Sequence, residues 1–156
     1  MSAESRLESL GISLPDVPAP AGAYVPALIS GSYVYTAGQL PFVSGELPAT
    51  GKVGEGHGLV PASDAAGYAR LSAINALAAA RSVLGSLDRV TRVVKVVGFV
   101  ASDPSFTGQP GVINGASELL GEVFGSEIGA HARSAVGVAV LPLDSPVEVE
   151  LILEFA

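Results

Sequence analysis

The C-terminal part of the chain contains Ala132-Arg133-Ser134-Ala135-Val136-Gly137-Val138-Ala139-Val140-Leu141-Pro142, followed shortly by Val147-Glu148-Val149-Glu150-Leu151-Ile152-Leu153-Glu154-Phe155. Both stretches alternate with a period of two residues, which is the repeat of a β-strand whose successive side chains point to opposite faces. Two prolines and an aspartate between residues 141 and 146 interrupt the alternation. The sequence therefore predicts two strands joined by a turn.

Each of the two predicted strands has one face of distinctive character. In the second strand, Glu148, Glu150 and Glu154 share a face with Ile152, and the opposite face is continuously apolar, formed by Val147, Val149, Leu151, Leu153 and Phe155. In the first strand, Arg133 shares its face with the small residues Ala135, Gly137 and Ala139. We expect this arrangement to leave the guanidinium uncrowded and backed by a groove.

The N-terminal half predicts a short helix, an extended arm and a hairpin. Residues 2–10 form an amphipathic helix with Ser2 as its N-cap and Gly11 as its stop, and residues up to 19 continue as a proline-rich arm. Strand-like runs at residues 24–29 and 33–37 flank Ser30-Gly31-Ser32, which is a hairpin signal. Residues 41–61 are rich in glycine and proline and predict a loop.

Two longer helices and a buried strand follow. Ser63 is expected to cap a helix that runs to Leu84 and stops at Gly85, and residues 92–100 form a nearly continuous β-branched strand. A second helix over residues 111–124 ends at Gly125. The expected buried positions are Leu71, Ile74, Leu77, Ala78 and Leu84 in the first helix and Val112, Ala116, Leu119, Leu120 and Val123 in the second.

The predicted order of elements is β-β-α-β-α-β-β, in one domain over residues 1–156. Each helix has one apolar stripe and must share a sheet face, so the order predicts an α+β fold with two helices packed on one face of a mixed sheet. The other face, with Glu148, Glu150 and Arg133, would then be left uncovered by the chain itself.

Composition narrows the class of protein. The net charge of −7 disfavours binding to nucleic acid or to anionic membranes, and the absence of cysteine excludes disulfides and thiolate chemistry. Hydrophobic residues make up 49% and charged residues 15%, against about 25–35% charged on an ordinary surface. This suggests that an oligomer hides apolar surface, and the alternative is a sequence bias toward alanine, valine and glycine. With no signal peptide and no membrane-spanning run, we expect a soluble cytoplasmic protein.

No pattern in the chain indicates a metal or a cofactor. His57 and His131 have no acidic partner at ligand spacing, and neither a Gly-x-Ser-x-Gly elbow nor a phosphate-binding glycine loop is present. His131 adjoins the Arg133 strand, either at the rim of a site or in a structural role. We therefore expect no metal site and no cofactor.

The C-terminal pattern Ala-Arg-Ser-x-Val-x-Val-x-x-Leu-Pro, followed by Val-Glu-Val-Glu, resembles the signature of the YjgF/YER057c/UK114 family, also called the Rid (reactive intermediate deaminase) family. Further matches are Ala23-Tyr24, the run Tyr35-Thr36-Ala37-Gly38-Gln39-Leu40-Pro41, and Val94 to Val100 followed by Asn114. The resemblance extends from about residue 20 to the end of the chain. It implies a chorismate-mutase-like fold and a homotrimer with ligand clefts between adjacent subunits.

The resemblance assigns chemistry to two residues. Arg133 matches the arginine that binds the substrate carboxylate, a role that suits the paired donors of a guanidinium. The alternative for Arg133 is an ion pair with Glu148 or Glu150 across the turn. Glu148 matches the glutamate that positions or activates water, and its alternative is an ordinary solvated strand residue.

Five further residues are implied to line the cleft. Asn114 and Tyr24 match family cleft residues, and their alternatives are an ordinary surface asparagine and a half-buried strand tyrosine. Backbone at Gly38 and Ala135 would orient the reacting nitrogen, with Ala37 beside it. Many members have serine at position 37 and cysteine at position 135, and the segment between Phe99 and Asn114 is longer here. These departures favour the alternative hypothesis that the protein binds a ligand but does not convert it.

The resemblance implies a function as well as a fold. The expected activity is an enamine/imine deaminase that hydrolyses amino-acid-derived 2-imino acids to 2-keto acids and ammonia. The first alternative is a non-catalytic protein that binds a keto acid or amino acid. The second is the endoribonuclease or translation-inhibitor activity attached to some relatives, which the acidic charge balance disfavours.

Overall fold

The computed structural model describes residues 1–156 and consists of three helices and a five-stranded sheet. The elements are α1 (Ala3–Ser9), β1 (Ala27–Ser30), β2 (Tyr33–Thr36), α2 (Ala62–Leu84), β3 (Val90–Ala101), α3 (Gln109–Ile128), β4 (Ala132–Val138) and β5 (Val147–Phe155). Short 3-10 turns lie at Leu87–Arg89 and Pro142–Asp144. After α1 and its arm, the order β-β-α-β-α-β-β is the predicted one.

The strands lie in the order β1-β2-β5-β3-β4. The pair β3/β4 is parallel and every other pair is antiparallel, so the sheet is mixed as predicted. The two C-terminal strands are consecutive in the chain but are not neighbours, because β3 lies between them. The parallel pair needs a crossover, which α3 provides, and this crossover places β4 on the outer side of β3 at the edge of the sheet.

Helices α2 and α3 cover one face of the sheet, as the order of elements predicts. The apolar face of β5 is confirmed as core, since Val147, Val149, Leu151 and Leu153 are at most 1% exposed. At Gly98 on β3, an added Cβ would lie 2.5 Å from the Ile113 side chain of α3, so a glycine is needed for this close approach. The core therefore lies between the two helices and the sheet.

Alanine, more than leucine, forms the buried face of α2. Leu77, Ala78 and Leu84 are buried as predicted, but Leu71 and Ile74 are only half-buried. The stripe that meets α3 and the sheet consists of small residues: Ala65, Ala69, Ser72, Ala73, Ala76, Ala79 and Ala80. Small side chains let the backbones of α2 and α3 approach closely, and this displaces the two larger residues from the centre of the contact.

Two predicted helix boundaries differ from the structure. The N-cap of α2 is Pro61 and not Ser63, and no side chain caps the helix. In α3, Gly125 interrupts the helix with φ 85° and ψ 170°, but one more helical turn follows to Ile128. By contrast, Ser2 does cap α1, since its hydroxyl accepts a hydrogen bond from the backbone N–H of Ser5 at 3.2 Å.

The sheet face away from the helices is uncovered, and we call it the open face. It presents Glu148 and Glu150 of β5 next to exposed apolar side chains such as Tyr33, Tyr35 and Val136. Arg133 was predicted on this face and lies on the other one, because its partner in β3 is the buried Val96. None of the three helices combines the length and the apolar composition that a membrane span requires.

Candidate ligand-binding site

Arg133 lies on the edge strand β4 and points toward helix α3. One nitrogen of its guanidinium, Nη1, donates to Asn114 Oδ1 at 2.8 Å and to Ser117 Oγ at 3.2 Å. Asn114 and Ser117 share a face of α3 because they are three residues apart. The helix thus holds the guanidinium by one of its nitrogens only.

The other edge of the guanidinium is unused within the chain. Nη2 and Nε donate to no protein acceptor, and Arg133 takes part in neither of the two ion pairs of the chain. Two parallel N–H groups on this edge match the spacing of the oxygens of a carboxylate. This side chain can therefore bind a carboxylate in a two-pronged manner without losing its contacts to α3.

His131 extends the cluster around Arg133. Its Nε2 lies 2.9 Å from Ser117 Oγ, and its Nδ1 lies 2.6 Å from the carbonyl oxygen of Gly129. We call Asn114, Ser117, His131 and Arg133 the arginine cluster. Sequence reasoning missed Ser117, although its spacing from Asn114 was a signal, and it left open whether His131 lay at the rim of a site.

Helix α3 packs against the small residues beside Arg133, so the groove expected behind the guanidinium is occupied by the helix. A Cβ added at Gly137 would lie 2.8 Å from Gln109 Nε2, and Ala135 is half-buried against the core. The register confirms that Arg133, Ala135 and Gly137 share one face of β4. The small side chains therefore serve to bring α3 close enough for Asn114 and Ser117 to reach the guanidinium.

Glu148 lies on the open face against Gly38. A Cβ added at Gly38 would be 2.8 Å from both Cδ and Oε1 of Glu148, so any larger residue would collide with the carboxyl group. This contact depends on a bulge, because Tyr35 and Gln39 are four positions apart while their partners on β5, Ile152 and Val149, are three positions apart. We call Glu148, Glu150 and Gly38 the glutamate cluster.

Thr36 stabilises the bulge from the buried side. Its hydroxyl accepts the backbone N–H of Leu151 at 3.0 Å and so replaces a bond that the interrupted ladder cannot make. Beyond it, Gln39 and Val149 exchange two backbone hydrogen bonds, at 2.8 and 3.0 Å. The backbone at Ala37 and Gly38 is thereby lifted out of the ladder next to Glu148.

The environment of Glu148 disfavours its charged form. Burial raises the pKa of the Glu148 carboxyl above its usual value of 4.5, and the neighbouring Glu150 carboxylate acts in the same direction. No donor of the chain hydrogen-bonds to the Glu148 carboxyl group. The carboxyl is therefore held with a proton affinity higher than that of an ordinary surface glutamate.

Within one chain, the arginine and glutamate clusters do not meet. Arg133 pairs with Val96 of β3, whereas Glu148 pairs with Phe99 of the same strand and points to the opposite face. The alternative prediction for Arg133, an ion pair with Glu148 or Glu150, is therefore wrong. The two clusters can contribute to one cleft only through another copy of the chain.

Ala37 and Tyr24 are the remaining predicted cleft residues, and Ala37 adjoins the glutamate cluster. Ala37 is half-buried beside Gly38, and its N–H donates to the carbonyl oxygen of Pro26 at 2.8 Å. Tyr24 lies two residues before Pro26 in an irregular segment and is 55% exposed, not half-buried in a strand. The structure shows no hydrogen bond from Tyr24 to either cluster.

The fold and these two clusters define an α+β protein with a YjgF-type arrangement of helices and sheet. A family model described as "YjgF/chorismate mutase-like, putative endoribonuclease" matches residues 4–155. The chain is 44% identical over 156 residues to Protein TCP17 of Trypanosoma cruzi, covering 96% of this chain and 92% of that protein. It therefore belongs to the YjgF/chorismate mutase-like family.

Solved structures agree with this assignment. The Agrobacterium tumefaciens protein Atu1372 is 44% identical with a TM-score of 0.88, covering 99% of this chain and 94% of that one. Escherichia coli TdcF, solved with bound serine, is 27% identical with a TM-score of 0.65, covering 90% and 94% of the two chains. The resemblance found in the sequence is thus confirmed for the family and for the fold.

Proposed function

We propose that this protein is a homotrimeric deaminase that hydrolyses amino-acid-derived 2-imino acids and their enamine forms to 2-keto acids and ammonia. The observation that supports it most directly is the Arg133 guanidinium, which α3 holds at Nη1 while its other edge is unused. Every substrate of this class has a carboxylate beside the reacting carbon. A fixed guanidinium would orient that carbon for attack by water.

Glu148 is the group proposed to handle the water. In hydrolysis of the imine, water adds to the carbon of the C=N bond, the nitrogen takes up protons, and ammonia leaves as the C=O bond forms. A carboxyl whose pKa is raised toward neutrality can take a proton from water and return it to the nitrogen. Backbone at Gly38, which touches the Glu148 carboxyl, and at Ala135 would orient the reacting nitrogen.

A trimer would bring the two clusters together. Arg133 lies on the edge strand β4, and Glu148 lies on an open face with exposed apolar side chains that one chain cannot cover. In the proposed assembly, each cleft takes the arginine cluster from one subunit and the glutamate cluster from its neighbour. Tyr24 and Ala37 would line the glutamate side of the cleft.

The reaction needs only orientation and proton transfer, the latter typically worth about 10²- to 10⁴-fold in rate. The imine is already reactive toward water, so the groups of the two clusters are sufficient and we propose no cofactor. The bound serine in the TdcF structure supports a ligand that has a carboxylate beside a nitrogen-bearing carbon.

The test is ammonia release from imines generated in place by an amino-acid oxidase, with semicarbazide as the competing trap. The wild-type chain should divert imine from the trap, and Arg133→Lys and Glu148→Gln should both lose most of this activity. Arg81→Lys, on α2 at the helix side of the sheet, is the matched control and should behave as wild type, since a lysine can keep the ion pair with Glu4.

Two other outcomes would contradict the proposal. Binding of a keto acid without turnover would make the protein a ligand-binding member of the family, as the alanines at positions 37 and 135 would allow. Cleavage of RNA would favour the activity in the family description, against the net charge of −7 and the carboxylates of the open face.

A further inference from the structure

The hydrogen bonds of the arginine cluster form one continuous chain. It runs from the Arg133 guanidinium through the Ser117 hydroxyl and the His131 ring to the carbonyl oxygen of Gly129. A guanidinium can only donate and a carbonyl oxygen can only accept, so the two ends differ in kind. With a neutral histidine ring between them, these ends determine the direction of every bond.

Ser117 Oγ must accept at the arginine end, which leaves the hydroxyl proton free for another acceptor. His131 Nε2, at 2.9 Å, is positioned to be that acceptor if it has no proton of its own. At the other end, the Gly129 oxygen at 2.6 Å requires a proton on His131 Nδ1. With the ring neutral, only the tautomer protonated on Nδ1 satisfies all three contacts.

We infer that Ser117 is a positioning residue for Arg133 and that His131, in its Nδ1-protonated tautomer, orients the Ser117 hydroxyl for that purpose. This inference rests on the proposed role of Arg133 in binding a carboxylate. Asn114 alone would leave the guanidinium free to pivot about one hydrogen bond. The second contact, from Ser117, fixes the plane of the guanidinium and therefore the direction of its unused edge.

The tautomer is tested by ¹⁵N nuclear magnetic resonance of the histidine rings in the full-length protein. The chain has only two histidines, His57 and His131, so His57→Gln assigns both rings. At about pH 8, above the range in which histidine rings ordinarily ionise, His131 should show a protonated Nδ1 and an unprotonated Nε2. In Ser117→Ala the ring should keep this tautomer, because the Gly129 carbonyl oxygen still requires a proton on Nδ1, but the Nε2 resonance should shift as it loses its hydrogen-bond donor.

The positioning role is tested by the affinity for 2-oxobutyrate and by steady-state kinetics. Ser117→Ala should weaken binding roughly two- to tenfold, the worth of one hydrogen bond, and should raise KM with little change in kcat. Ser117→Thr, which keeps the hydroxyl, should restore most of the affinity. Ser126→Ala, on an exposed serine of the same helix, is the control and should change neither value.

Two results would overturn the inference: a wild-type His131 ring that is protonated on Nε2 at this pH, or unchanged affinity in Ser117→Ala. Failure of the proposed deaminase activity gives a different result. If Ser117→Ala weakens 2-oxobutyrate binding and shifts the Nε2 resonance of His131 while no imine is hydrolysed, the positioning role stands and the deaminase proposal is wrong.

Discussion

At the scale of single residues, Arg133 and Glu148 are unusual because their side chains have hydrogen-bonding groups that no other group of the chain satisfies. Arg133 has a free guanidinium edge at the border of the sheet, and Glu148 has a raised pKa on the open face. Neither takes part in an ion pair within the chain. A ligand or a partner subunit can supply the opposite charge or the hydrogen bonds that such an unpaired group lacks.

Arg133→Lys should lose carboxylate binding although it keeps the charge. An ammonium cannot contact Asn114 and Ser117 and also present two parallel donors, so we expect a loss of about 1.5–3 kcal/mol in binding free energy. Isothermal calorimetry with pyruvate or 2-oxobutyrate measures this loss. Equal affinity in the two proteins would reduce Arg133 to a structural contact between β4 and α3.

Glu148→Gln should remove a pH-dependent loss of stability. Because the pKa of Glu148 is raised in the folded chain, the folded state binds this proton more tightly than the unfolded state does. Its contribution to the free energy of unfolding is therefore retained below the ordinary pKa of 4.5 and is lost as the pH rises from there through the higher, folded-state pKa.

Urea unfolding at acidic and at slightly alkaline pH, at one protein concentration, measures this difference. The variant should match wild type at the acidic pH and exceed it in stability at the alkaline pH. Glu127→Gln, on an exposed glutamate of α3, should follow wild type at both. A variant that is less stable than wild type at alkaline pH would mean that the Glu148 carboxylate has a stabilising partner.

At the scale of elements, the contact between α2 and α3 positions the site. Helix α3 supplies Asn114 and Ser117, and its path is set by backbone contact with α2. Gly115 is adjacent to Asn114, and a Cβ added there would overlap the carbonyl oxygen of Ala66. Packing between the two helices thus determines where the guanidinium is held.

Two glycine substitutions on α3 should have opposite effects. Gly115→Ala forces the helices apart and should destabilise the fold by about 1–3 kcal/mol or more. Gly121→Ala has no neighbouring atom within 4 Å, so it should stabilise the helix, by roughly 0.5–1 kcal/mol. Equilibrium urea unfolding of both variants decides this, and a Gly115→Ala protein as stable as wild type would show that the contact is loose.

At the scale of the whole molecule, we expect further copies of the chain to cover the open face and the edge strand. We predict a trimer in dilute solution, because one chain leaves Tyr33, Tyr35 and Val136 exposed around Glu148 and Glu150. Gel filtration coupled to light scattering measures the mass. A mass of one chain at micromolar concentration would contradict both the trimer and the shared cleft.

Mixed trimers test the shared cleft directly. Arg133→Lys and Glu148→Gln subunits, each inactive alone, should regain activity when co-expressed, with about a quarter of clefts intact if subunits mix at random in a symmetric ring. Co-expression of Arg133→Lys with a chain that has both substitutions should restore nothing. If the first mixture also stays inactive, the two residues do not come from adjacent subunits.

Local sequence patterns were sufficient to predict most helices and strands and the residues of one face of the core. The period-two alternation of β5 identified Val147 to Leu153 as its buried face, and the stripe on α3 from Val112 to Val123 is buried as expected. The α2 interface was harder, since alanine is compatible with many surroundings. Its buried face was determined by the approach of α3, which no spacing within α2 records.

The sequence determined the order of elements and the family, because these depend on periodicity and on motifs along the chain. Through the resemblance to that family it also singled out Arg133 and Glu148 as candidate site residues, and their roles stay predictions. The tertiary structure decided that β3 separates β4 from β5 and that Arg133 points to α3. It also brought Ser117 and His131 into the arginine cluster. Which distant segments become neighbours depends on how the helices and strands share one core, and a local pattern contains no information about that.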